Sequence, residues 1–308
     1  MKYEDFNEFF SSIDADNNEV ISKWEELSKR KRKVSIIVVI ILLIIDALIL
    51  YKIRTFSLFV IMPIFIIDIF IYIISQIATN GEDIEQFNND YKEKFVNKML
   101  ENFIEELDYI PLKSLSRNVF DEAKYGGRYN KYYSDDYFEG KINNKKIVMA
   151  DLNVQEEIKK KDKDGNETTE TTTIFNGLFG KINLSKSINT TIYVTREYGF
   201  FDEQKLEMDS YEFEKAFSIY AENKITAMQL LTSDVQEDIL ELYNKYKIDF
   251  NIIIRNDKMY VLFETGSMFE IFSTRNNPNE VLEEYFEIMK FIYKLVDKIL
   301  KTIDSTQI

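Results

Sequence analysis

Two residue types narrow the possible chemistry by their absence: the chain has neither histidine nor cysteine. That removes Ser-His-Asp and Cys-His nucleophilic catalysis, His-ligated zinc, thiolate metal sites and disulfides. What remains for chemistry is carboxylates, tyrosines and lysines. Acidic pairs stand at Asp135-Asp136 and Glu156-Glu157, and a metal-assisted hydrolase could be built from such groups. Neighbours on a strand point to opposite faces, however, so neither pair makes a dyad by spacing alone. Asp162-Lys163-Asp164-Gly165 has part of a calcium loop, but Lys160 replaces the first ligand and Thr171 the final glutamate, so it reads as a solvated hairpin tip. Asn176-Gly177-Leu178-Phe179-Gly180 lacks the Lys-Ser/Thr ending of a phosphate loop and reads as a strand kink or bulge. The sequence therefore assigns no catalytic, cofactor-binding or metal residue and implies no cofactor; this argues against an enzyme without excluding one. Tyr129, Tyr132, Tyr133, Tyr137 and Phe138 could line a binding groove or fill a sheet face.

Two further acids sit where acids are costly. Asp46 and Asp68 interrupt apolar runs at Val34–Tyr51 and Phe56–Ala78. As helices these runs measure about 27 and 34 Å, close to a ~30 Å hydrocarbon core. Neither shows a polar face, so the pair reads as a transmembrane helical hairpin. An Asp at a helix centre costs about 2.5–3.5 kcal/mol, and each Val, Ile or Leu returns about 0.3–0.6. Fourteen such residues in the first run supply roughly 4–8 kcal/mol, so it inserts despite Asp46. Counted from a turn near Ile53, Asp46 lies about seven residues deep and Asp68 about fourteen, roughly 10 Å apart in height and too far to pair in one hairpin. One reading makes Asp68 a protonated contact to a neighbouring subunit's helix; the other satisfies it locally.

Lys29, Arg30, Lys31, Arg32 and Lys33 abut the first span, against Lys52 and Arg54 in the turn. This bias keeps both chain ends cytoplasmic, in a two-pass inner-membrane arrangement. The cluster could bind anionic headgroups or merely set topology. Net charge over the 308 residues is −14, and the only dense basic block lies at the membrane, so nucleic acid is not an expected partner. The expected partners are the bilayer and a membrane or cytoplasmic protein, with a homo-oligomer also open.

Four segments follow: an acidic helical head over 1–33, the hairpin over 34–78 (34–51 and 56–78), a helical stalk over 79–125, and an α+β cytoplasmic domain over 126–308. The head holds Phe6, Phe9, Phe10, Ile13, Val20, Trp24 and Leu27 on two short helices broken near Asp14–Asn18, lying either in the membrane interface or against the domain. Ile84, Phe87, Tyr91, Phe95, Met99, Phe103 and Leu107 predict one amphipathic helix from about Glu82 to Leu107. Pro111 ends it or begins a short helix through Phe120. Strands are expected over Tyr137–Ile142, Lys146–Ile158, Thr168–Leu184 and Thr190–Glu197, with a turn at Ser185–Asn189. Beyond them come a strand near Phe217–Tyr220, helices over Ile225–Leu231 and from Ser233 to Lys247, and a hairpin of Phe250–Ile254 and Met259–Phe263 split at Asn256-Asp257. A strand at Met268–Phe272 and a helix from Pro278 to about Ile303 complete an α+β domain of mostly antiparallel sheet with flanking helices.

Several patches, in order, carry a resemblance: Ser134-Asp135-Asp136-Tyr137-Phe138-Glu139-Gly140-Lys141-Ile142, Phe175-Asn176-Gly177-Leu178-Phe179, Glu212-Phe213-Glu214-Lys215-Ala216-Phe217 followed by Tyr220-Ala221, and Leu230-Leu231-Thr232. With the hairpin, the chain resembles over residues 30–270 the bacterial family named domain of unknown function 3137. The resemblance implies an inner-membrane location and work beside other small membrane-anchored proteins; it transfers no catalytic residue. Three functional classes follow: a membrane-tethered binding or scaffold module, an accessory subunit of a polytopic complex such as a transporter, and a carboxylate-dependent membrane-tethered hydrolase.

Overall fold

The computed structural model describes residues 1–13, 17–53, 58–79, 82–161, 167–196, 203–271 and 277–306. The Asp162–Gly165 tip, the Asn80-Gly81 break and the Arg54 end of the hairpin turn lie outside them. The architecture is α+β, and the chain divides into two compact units: Met1–Phe9, Phe95–Glu270 and Leu282–Ile308 in one, Phe10–Lys94 and Ile271–Val281 in the other.

The first unit is built on a seven-stranded antiparallel sheet. Its strands are β1 (Glu105–Ile110), β2 (Lys131–Ile142), β3 (Lys145–Lys161), β4 (Glu167–Thr195), β5 (Gln204–Leu206), β6 (Ser218–Ala221) and β7 (Phe250–Phe263). They run in the order β1-β2-β3-β4-β6-β5, with β7 on β4. β4 is the hinge of the topology: residues 178–182 pair with β3 and β7 together, and residues 192–194 with β6 and β7 together. One sheet face packs Ala150, Leu152, Val154, Phe175 and Phe179 under Phe120 of α6 (Arg117–Ala123). The other carries α8 (Lys224–Leu230), α9 (Ser233–Tyr246) and α10 (Pro278–Ser305). There Phe250 and Phe263 of β7 meet Phe291 of α10, while Val194, Ile252, Ile239 and Ile299 enclose an apolar pocket. A short α7 (Tyr211–Ala216) is capped by Ser210, whose hydroxyl oxygen accepts from the Phe213 N–H. Of α1 (Phe6–Ile13), Phe6 and Phe9 are buried against Phe286 of α10, so the first turn of the head packs on the domain.

Several expected boundaries are corrected. The stalk is not one helix to Leu107. α4 (Glu82–Tyr91), a π turn (Lys92–Val96) and α5 (Asn97–Phe103) follow one another, and Leu107 lies in β1. The periodic apolar set from Ile84 to Phe103 is buried as predicted, but Glu105 onward finds an open edge of β2, and pairing wins over helix propagation. Pro111 follows that strand, and its carbonyl accepts from the Asp136 N–H at 2.8 Å. Two expected turns are absent as turns. Ser185–Asn189 falls within the 29-residue β4, and Asn256-Asp257 within β7, where Asn256 adopts φ 52°. The irregularities face each other, Ile188 opposite Asn256. Met268–Ile271 is not a strand. Gly177 is the kink anticipated in β4: at φ 152° any Cβ there would sit 2.0 Å from the Phe263 carbonyl oxygen.

In the second unit α2 (Asn17–Ile53) runs without interruption from the head through the first apolar run, and α3 (Leu58–Thr79) carries the second. Lys23 pairs with Asp90 at 3.1 Å and Arg30 with Asp83 at 2.8 Å, tying α2 to α4. Among the described residues no helix is long and apolar enough to cross a membrane.

Candidate functional site

A polar groove of about 460 Å³ opens beside β2 and β3, lined among others by Tyr132, Tyr133, Asp135, Asp151, Asn153 and Ser267. Register explains the gathering. Asp135 lies directly opposite Asp151, and Tyr133 opposite Asn153. Like charges facing across an antiparallel pair destabilise it unless something else compensates. A third carboxylate joins through a bulge: between Asp135 and Phe138, β2 spends one residue more than β3. Asp136 occupies the bulge at φ 50°. Alternation is thereby broken, and carboxylate oxygens of Asp135, Asp136 and Asp151 all lie within 4.8 Å of one another. Adjacent residues that should diverge on a regular strand converge here.

Hydrogen bonds from the surroundings hold two of the three. Asp136 is fully buried; its Oδ1 accepts from the Tyr109 hydroxyl at 2.5 Å. Burial, then the charge of Asp136, pushes the Tyr109 phenol far up, fixing it as a donor. Asp151 is 4% exposed. Its Oδ2 accepts from the Met268 N–H at 2.9 Å and the Ser267 hydroxyl at 3.1 Å, while its Oδ1 is buried with no hydrogen-bond partner. Burial pushes the Asp151 carboxyl up to about 7; the Met268 N–H opposes this, and Asp135 adds to it. Asp135 is exposed and opens the trio to the groove. The rim is pinned by Ser134, whose carbonyl accepts from the Ser114 hydroxyl at 2.7 Å and whose hydroxyl oxygen accepts from the Leu115 N–H at 2.8 Å.

Of the five aromatics, Tyr129 is partly buried against the core and the other four divide. Tyr132 and Tyr133 line the groove, Tyr132 with its hydroxyl on the Leu115 carbonyl at 3.1 Å. Tyr137 and Phe138 are buried, Tyr137 beneath the Lys113 ammonium at 3.6 Å from its ring. Lys29, Arg30, Lys31, Arg32 and Lys33 all lie on α2, where Lys29 also pairs with Glu25 at 2.8 Å. The expected separation of Asp46 from Asp68 does not hold, since their side chains lie close enough to interact. α2 ends at Ile53 and α3 starts only at Leu58, so the depths from the helix ends differ by about three residues, roughly 4.5 Å. Asp151 was missed by the sequence reading, although it is a lone acid in the apolar run Ile147-Val148-Met149-Ala150-Asp151-Leu152. Tyr109 gave no signal at all.

No curated protein matches the chain. Among solved structures, the crystal structure of the mycobacterial trehalose monomycolate transport factor A, TtfA, is similar at 9% identity and a TM-score of 0.35, covering 62% of this chain and 88% of that one. A likeness at that level carries no argument about fold or function. Residues 173–301 match the family described as protein of unknown function (DUF3137); they include the Phe175, Glu212 and Leu230 patches but not Ser134–Ile142. That match covers 129 of the 308 residues and supports, for this part of the chain, membership of the DUF3137 family.

Proposed function

We propose that the chain is a membrane-tethered binding module, with α2 and α3 as a two-span hairpin and the α+β domain recognising a protein or peptide partner on the cytoplasmic side. The observation that carries this reading is apolar exposure along both helices. Ile36, Ile37, Ile40, Leu43, Ile44 and Leu48 on α2, with Phe65, Ile67, Phe70 and Ile74 on α3, are each between 50% and 65% exposed. Water opposes such a surface at about 25 cal/mol per Å², whereas acyl chains do not. The backbone of both segments is helical, so its polar groups are satisfied within the segment as a bilayer requires. Lys29–Lys33 favours the cytoplasm for both ends and supplies contacts to anionic headgroups at about 1 kcal/mol per residue.

The test is fractionation of cells expressing the full chain with a tag after Ile308. The chain is expected in the membrane pellet after an alkaline wash, with the tag digested by protease only in inside-out vesicles. A chain in the supernatant, or a tag cut in right-side-out vesicles, overturns the reading. Exchanging Asp46 and Asp68 for Asn then separates the binding module from an accessory subunit. A partner held by the domain stays bound to the detergent-solubilised variant, and one packed on the hairpin is lost. The convergence of Asp135, Asp136 and Asp151 is the observation that favours the hydrolase as second reading.

A further inference from the structure

We propose that Asp135, Asp136 and Asp151 bind a divalent cation of the hard, oxygen-seeking class: magnesium, calcium or manganese. Three carboxylate oxygens within 4.8 Å of one another can all reach one ion, because calcium takes oxygen ligands at about 2.3–2.6 Å and so spans pairs up to about 5 Å apart. With no nitrogen or sulfur ligand in the set, the donors suit hard cations.

Clustered acids alone would not single out a ligand, since acidic groups gather on many surfaces without one. What singles one out is the unpartnered Oδ1 of Asp151. The residue is 4% exposed, one carboxylate oxygen is committed to Ser267 and Met268, and the other is buried with no donor to meet it. An orphaned buried acceptor is destabilising, more so when charged. The Asn153 Oδ1, on the wall of the same groove, is likewise a buried acceptor without a hydrogen-bond partner. Both orphans are acceptors, so the missing partner is electropositive. Among the described residues, those lining the groove include no lysine or arginine. Geometry also provides the way in: Asp136 and Asp151 are buried, while exposed Asp135 stands at the groove. Tyr109 and the Ser267–Met268 segment then act as positioning groups, Tyr109 holding Asp136 and the Ser267–Met268 segment holding Asp151.

The experiment uses the full chain in detergent, freed of metals with a chelator and titrated calorimetrically with Mg²⁺, Ca²⁺ and Mn²⁺ in turn. Wild type is expected to bind one equivalent of at least one of them with a dissociation constant of about 1 mM or tighter. Asp135→Asn and Asp151→Asn are each expected to weaken it at least tenfold, and Asp257→Asn, on the exposed part of β7, to leave it unchanged. Mn²⁺ spin resonance on wild type gives a readout independent of any variant's folding. The proposal is overturned if no cation saturates a site in that range. Binding that survives both Asp135→Asn and Asp151→Asn overturns it equally.

Discussion

At the residue scale, what a carboxylate does here is decided by its partners rather than by its type. Asp304 on α10 is the counterpart of the buried trio. The Ser185 hydroxyl donates to it, and Lys145 stands 3.1 Å away, which together hold its carboxyl below the usual range, the Ser185 bond contributing most. A folded-state value below the unfolded one, about 3.9, gives stability that is present above that pH and lost as pH falls through the folded value. Asp304→Asn is therefore expected to unfold at a lower temperature than wild type at pH 6, with the gap narrowing as pH falls below about 3.9. Because the side chain is 41% exposed, solvent screens the effect and the gap is small. Thermal unfolding across that pH range measures it; a gap that widens toward acid contradicts the assignment. Such fine placement was not legible beforehand. Asp135 and Asp136 stood out as a pair, but their convergence depends on a bulge and a positive φ that no spacing rule encodes.

Elements were more legible than residues, because periodicity reports burial directly. The alternating strands of β2 and β3, the amphipathic α9 and the long α10 follow from their apolar spacing. The two misplaced turns share one cause. Ser185–Asn189 and Asn256-Asp257 carry strong local turn chemistry, yet each lies in a strand paired along most of its length, and long-range pairing outweighs a local preference of about 1 kcal/mol. The turn signal survives as a bulge: Asn256 retains the left-handed conformation, opposite Ile188. Asn tolerates that conformation and β-branched residues do not. Asn256→Val is thus expected to cost about 1–2 kcal/mol in urea unfolding, while Asn256→Gly stays within a few tenths of a kcal/mol of wild type. Equal losses from both would mean that the side chain, not the backbone, matters there.

For the molecule as a whole, the proposed tether and the acidic domain would make opposite demands on solvent, and energetics bear on where the chain resides. The Val34–Tyr51 segment supplies roughly 4–8 kcal/mol toward insertion and gives back about 2.5–3.5 at Asp46, leaving a margin of about 0.5–5.5 kcal/mol. Leu43→Arg removes about 0.5 and adds about 2.5–3.5 kcal/mol of cost, which takes the first span close to balance; Ile40→Arg beside it carries the sum past zero. Both positions are exposed on α2, so neither change disturbs a packed contact of the folded domain. The single variant is expected to divide between membrane and soluble fractions, and the double variant to leave the alkali-washed pellet. A chain held at the membrane only by the Lys29–Lys33 cluster would behave in the opposite way. Added arginines would strengthen its attachment to anionic vesicles, high salt would release it, and the bilayer core would play no part.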